Sequence, residues 1–175
     1  GNPNRRLHLA RMGTWLTDRG LLTLAEVDVR DEAERENLQV RRERDMRGFI
    51  REHRLAAFPA VVSAKSFPGG ARSLIQCHGL GPLRANTVML GWSNAPERRE
   101  EFGGVLRMIA RLRRSVLVVR PAPTLLEDAA LPEGSIDVWW RGRDHGSLML
   151  LMAYLLTQTP EWRHRPIRLL RVAAR

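Results

Sequence analysis

The sequence predicts an α/β domain, a doubly wound, mostly parallel sheet with helices on both faces. Three observations carry this. Short runs that are apolar throughout, such as "SVLVVRP" (115–121), alternate with longer segments of helical period. A strand apolar on every residue is buried on both sides, which parallel sheets require. The order strand, helix, strand recurs along the chain, and parallel neighbours need a helix-length crossover between them.

The elements follow in order. "NRRLHLARMGTWLTDRG" reads as a helix, with Asn4 as N-cap, an apolar stripe through Leu7, Leu9, Met12, Trp15 and Leu16, and Gly20 just past its end. "LLTLAEVDV" (21–29) reads as a strand. In the charged segment 31–54, Met46, Phe49, Ile50 and His53 mark one helical face, while the first half is polar all round and is either a solvated helix or partly disordered. "AAFPAVVSA" (56–64) is a strand that Pro59 places near an edge. Phe67 to Cys77 is a helix with Pro68 in its first turn, and "NTVMLGW" (86–92) is a strand. Residues 95–113 form a helix whose inner face is Phe102, Val105, Leu106, Ile109 and Leu112. "SVLVVRP", "SIDVWW" (135–140) and "IRLLRV" (167–172) are strands, with a helix over 146–156. Parallel α/β domains ordinarily open on a strand, whereas this chain opens on a helix, so a first strand is expected upstream of Gly1.

At 175 residues the chain suits one domain, 1–175. No stretch has the roughly 18 uninterrupted apolar residues of a membrane-spanning helix. Its opening carries Arg5 and Arg6 ahead of an amphipathic segment, which is not a signal peptide. The single cysteine, Cys77, excludes an intrachain disulfide and suits a reducing compartment. Net charge is +10, and Lys65 is the only lysine, so the excess is arginine. Such a balance suits an anionic membrane surface or nucleic acid. The arginines are dispersed and several stand beside acids, as in "DEAERENLQVRRERD" (31–45), and no nucleic-acid reader module or zinc spacing accompanies them.

The segment "GLGPLRANT" (79–87) holds two glycines beside a strand, but it runs from helix to strand. Phosphate loops run from strand to helix, so that free N–H groups meet the anion, and the spacing fits neither glycine fingerprint. A helix C-cap followed by a turn accounts for Gly79, Gly81 and Pro82. Ligands of open α/β sheets bind at the carboxyl ends of strands. The loops there are 1–4, 91–94, 120–121 and 141–144, and an anion or nucleotide could meet Asn2, Asn4, Gly91, Trp92, Arg141 and Arg143. No catalytic residues emerge. His8, His53, His78 and His164 are scattered without metal-ligand spacing, Asp144 and His145 are sequence neighbours without a third partner, and no serine has the nucleophile-elbow context. The chain is expected to be neither an enzyme nor dependent on a cofactor or metal.

Three segments together carry a resemblance. "GNPNRRLHLARMGTWLTDRGLLTLAEV" resembles the start of the cytosolic C-terminal domain of the cation-chloride cotransporters, within the amino acid–polyamine–organocation superfamily. "GLGPLRANTVMLGW" resembles that family's "GLGRMKPNTLVLGF"-type signature, with Ala85 where the family often has proline. "SIDVWWRGRDHGSLMLLMAYLLTQTPEWRHRPIRLLRV" resembles its "TIDVWW…DGGL…LIPYLLT…W…IRVF" block, with Asp144, Gly146, Leu148, Leu155, Leu156, Thr157 and Trp162 in register. The resemblance implies a universal-stress-protein-like domain on the cytoplasmic face of the cell membrane, the soluble tail of a symporter that moves chloride with sodium or potassium. It further implies a homodimer, contact with the transporter's own membrane domain, and regulation in place of catalysis. The loop between "SVLVVRP" and "SIDVWW" is short where animal relatives carry a long regulatory insert, and a second half of the family's cytosolic region is expected beyond Arg175. Two alternatives stand beside this reading, a nucleotide-binding sensor of universal-stress-protein type and a basic nucleic-acid-binding domain.

Overall fold

The computed structural model describes residues 6–17, 20–29, 35–80, 83–121, 131, 133–140 and 145–172, with the backbone alone at 35–38 and 80. The described chain is an α/β domain. Its elements are α1 (Leu7–Thr17), β1 (Thr23–Val29), α2 (Arg35–Glu52), β2 (Phe58–Ala64), α3 (Phe67–Cys77), β3 (Gly79–Leu80), β4 (Leu83–Arg84), β5 (Thr87–Gly91), a 3₁₀ turn (Pro96–Arg98), α4 (Arg99–Arg111), β6 (Ser115–Val119), β7 (Ile136–Trp139), α5 (Gly146–Thr157) and β8 (Ile167–Leu170).

Each longer strand pairs in parallel with the next long strand across one helix: β1 with β2, β5 with β6, and β7 with β8. These are three β-α-β units. Among the described residues no backbone ladder joins one pair to the next, so the expected single sheet is present as separate parallel pairs.

Side-chain alternation shows how helices cover both faces of each pair. Leu24 and Val61 point to the side on which α1 and α2 pack, in a core of Ala10, Met46, Phe49, Ile50 and Val61. On the same side Arg42 of α2 bridges Glu26 of β1 at 3.0 Å. Val27 and Ala64 point to the opposite side, where α3 rests with Gly70 against them. The β5–β6 pair repeats the plan. Val88, Leu90 and Val116 face a second core made by Ala71 and Ile75 of α3 with Val105, Met108 and Ile109 of α4, while Gly91 faces Leu9 of α1. Helices α1 and α2 therefore cover one side and α3 and α4 the other, as a doubly wound domain requires.

Two local expectations differ from the structure. Strand β1 begins at Thr23, two residues later than the apolar run, while the Leu22 carbonyl accepts from the Phe58 N–H at 2.9 Å and its side chain covers Gly13 of α1. Gly79 is not the cap of α3, and Gly81 and Pro82 lie outside the described residues. The C-cap is His78, in extended conformation, and Gly79 already belongs to a two-residue antiparallel hairpin with β4. A Cβ on Gly79, whose φ is +153°, would lie 2.5 Å from the Leu83 carbonyl oxygen, so the glycine serves close backbone approach.

Candidate functional site

Of the expected ligand edge, 91–94 after β5 and 120–121 after β6 are described, and the β5 end carries the candidates. Its backbone leaves the sheet at Trp92, whose N–H donates to the Val119 carbonyl at 2.8 Å and so continues the ladder by one residue. The Trp92 ring is half exposed. It stands edge-on to Phe102 of α4, with centroids 5.8 Å apart, and its Nε1–H donates to Asn94 Oδ1 at 3.0 Å. Ser93 Oγ accepts from the Ala95 N–H at 3.3 Å, closing the turn into the 3₁₀ segment.

This edge is of mixed charge. Glu97, Glu100 and Glu101 at the start of the 3₁₀ turn and α4 complement the helix dipole, and the exposed Arg98, Arg99 and Arg120 stand at the same edge. Gly91 is a packing position. A Cβ there would stand 2.9 Å from Leu9 Cδ1, so α1 lies directly against it. Of the six expected ligand residues the structure brings together Gly91 and Trp92, the second at a rim and the first beneath a helix. Asn2, Asn4, Arg141 and Arg143 lie outside the described residues.

Among the described residues no group of three His, Cys, Asp or Glu side chains could hold a metal ion. The titrating groups that depart from ordinary behaviour are structural. Burial, and then the neighbouring Arg6, pushes the His8 imidazole on α1 below its usual value. Asp137 of β7 is held down to about 2 by hydrogen bonds from the Arg168 guanidinium on β8 and then from Ser135. The Arg168 fork meets both carboxylate oxygens, at 2.8 and 2.6 Å, and fastens β8 to β7. His78 Nε2 lies 2.7 Å from Thr23 Oγ1, tying the end of α3 to the start of β1.

What the arrangement offers is surface in place of a cavity. Helix α5 (GSLMLLMAYLLT) has no charged residue. Gly146 and Ala153 are buried, Gly146 so closely that a Cβ would meet the Trp140 ring. Ser147, Leu150, Leu151, Tyr154 and Gln158 are exposed at helical spacing, which makes them one continuous outer face. The inner side of α5 packs against α1. Beyond α5, Trp162 stands edge-on to Trp15 of α1 at 5.4 Å and carries the Arg165 guanidinium 5.0 Å above its ring. The signal that the helix is two-sided lies in its small residues, Gly146 and Ala153, which share one face, while the large residues occupy the rest.

Among the described residues no helix is long and apolar enough to cross a membrane. The profile of solute carrier family 12 matches residues 6–125, more than half of the chain, from α1 through β6 and just beyond. The "SIDVWW" block lies past that span, and its likeness to the family rests on the residues named above. Solute carrier family 12 is a family of transporters and not of enzymes. The chain belongs to solute carrier family 12, the cation-chloride cotransporters.

Proposed function

We propose that this chain is a cytosolic regulatory and dimerisation domain of a membrane symporter that carries chloride with sodium or potassium. The observation that supports this most is the outer face of α5. A chain with net charge +10 sets Leu150, Leu151 and Tyr154 in solvent on a helix without a single charge. Exposed apolar surface of this kind marks association sites. An uncharged face is also where two strongly basic copies meet with least repulsion. A two-fold contact of α5 on α5 buries the same residues from both copies. It would set the orientation of two transporter subunits and bias their membrane helices through a fixed coupling. The ion path belongs to the membrane part of the transporter.

Light scattering on the chain tests the proposal. The expected result is a dimer that Leu150→Asp with Tyr154→Asp converts to a folded monomer, because both side chains are exposed and their replacement leaves the core intact. A wild-type chain that stays monomeric at high concentration, or a variant that stays dimeric, overturns it. The nucleotide-sensor alternative has its described candidates at Gly91, which packs beneath α1, and the half-exposed Trp92. ATP binding by calorimetry would favour it.

A further inference from the structure

Two arginines stand where the backbone favours glycine. Among the described residues, Arg54 (φ 52°) and Arg113 (φ 55°) are the non-glycine residues with left-handed backbone. Each is the C′ residue of a Schellman motif. After α2, Leu55 N–H donates to the Ile50 carbonyl at 2.9 Å and Arg54 N–H to the Arg51 carbonyl at 3.1 Å. After α4, Arg114 N–H donates to the Ile109 carbonyl at 3.3 Å and Arg113 N–H to the Ala110 carbonyl at 2.9 Å. Glycine is the usual residue at C′ because a Cβ crowds the following carbonyl in this conformation. Both helices instead keep an exposed arginine there, and strain of this kind points to a use for the side chain.

The two arginines share one end of the molecule. Helices α2 and α4 each lead into a strand, so both C-termini lie at the strand-start edge. At that edge Phe58 N–H bonds the Leu22 carbonyl, Ser115 N–H bonds the Asn86 carbonyl, and α3 ends with His78 on Thr23, the first residue of β1. Arg51, Arg54, Arg84, Arg111 and Arg113 are all exposed there. The acid on these helix ends is Glu52 alone. The opposite end, at the start of α4, mixes Arg98 and Arg99 with Glu97, Glu100 and Glu101. The starts of β1, β2, β5 and β6 thus gather arginines with Glu52 as the acid on the helix ends, whereas three glutamates stand among the arginines at the start of α4.

We infer that this arginine pole is a docking face for the anionic headgroups of a bilayer. The inference rests on the proposed position of the domain at the cytoplasmic face of the membrane. Charge complementarity carries it. Clustered arginines gain from the negative surface potential of anionic lipids, and Phe58 is exposed at the same edge. The αL caps aim two of the cations outward from the ends of rigid helices, so the pole fixes an orientation as well as an attraction.

The test is co-sedimentation of the chain with vesicles of phosphatidylcholine alone or with phosphatidylserine. Wild type is expected on the phosphatidylserine vesicles only. Arg54→Gly with Arg113→Gly should lower the partition by roughly fivefold per arginine removed. Glycine suits both caps, so melting temperature should hold or rise, which separates lost binding from lost folding. Arg98→Gln with Arg99→Gln, at the other end, should bind like wild type. Equal binding by the glycine variant, or no preference for anionic vesicles, overturns the inference. Tighter retention on duplex DNA than on vesicles, lost in the same glycine variant, overturns it in favour of nucleic acid. Light scattering on the same samples reads dimerisation independently, so failure of the pole and failure of the dimer are distinguishable.

Discussion

Replacing glycine by alanine at three helical positions should give opposite signs, decided by what each Cβ would meet. Alanine is favoured over glycine in a helix interior by about 1 kcal/mol. Gly48 in α2 and Gly104 in α4 have nothing within 4 Å of a built Cβ, so Gly48→Ala and Gly104→Ala should each stabilise by about 0.5–1 kcal/mol. Gly70 in the first turns of α3 is different. Its Cβ would lie 2.4 Å from Val27 Cγ1, 3.2 Å from Val27 Cγ2 and 3.0 Å from Ala64 Cβ. Carbon atoms rest at about 3.5–4.0 Å, so a gap of roughly 1 Å must open. Val27 cannot swing away, because it is β-branched, stiff at χ1 and set in the ladder with β2. Helix α3 must therefore lift from the sheet, at an overpacking cost of about 1–3 kcal/mol. Set against the helical gain, Gly70→Ala should destabilise by up to about 2 kcal/mol net. Urea unfolding followed by far-UV circular dichroism measures all three variants, and a melt should separate Gly70→Ala from the others by several degrees, at about 2–4 °C per kcal/mol for a chain of this size. The close seating of α3 on β1 and β2 would be refuted if Gly70→Ala stabilised as the other two do. Gly70→Ala with Val27→Ala should recover part of the loss, since it removes the methyl groups in the way.

Two further outcomes are expected. Ile109 is fully buried between α3, β5 and β6, so Ile109→Ala should cost about 2–5 kcal/mol and Ile109→Val about 1 kcal/mol, read from the same urea curves. Asp137 has its folded pKa depressed from 3.8 to about 2, so its pairing with Arg168 contributes above the unfolded value and is lost as pH falls through the folded one. Its carboxyl resonance should titrate near the lower value in wild type and return toward the ordinary range in Arg168→Gln, while an unchanged titration would mean that the pair does not persist in solution.

The legible part of this protein was the part governed by local periodicity. Apolar runs such as 115–119 and 58–64 were legible as strands, and the stripe through Val105 and Ile109 as the inner face of a helix, because burial acts on each element's own repeat, whereas the exposure of Val118 and Phe58 was not legible. Strand β4 was missed, since a two-residue hairpin is too short to show any period. The family likeness was also legible, carried by ordered segments of identity that needed no coordinates.

The candidate site was less so. Gly91 looked available to a ligand, because sequence reports a missing side chain without saying who fills the space, and in the fold Leu9, eighty-odd positions earlier in the chain, fills it. Arg54 and Arg113 read as two more arginines among many, because the sign of φ is set by how each helix ends against its strand. Composition likewise determined that α5 would be apolar and the whole chain basic. Only tertiary structure decided that the apolar helix keeps one face in solvent and that arginines gather at one end of the strands. Both follow from where crossover helices land on a parallel sheet, a long-range result of packing that no window of residues contains.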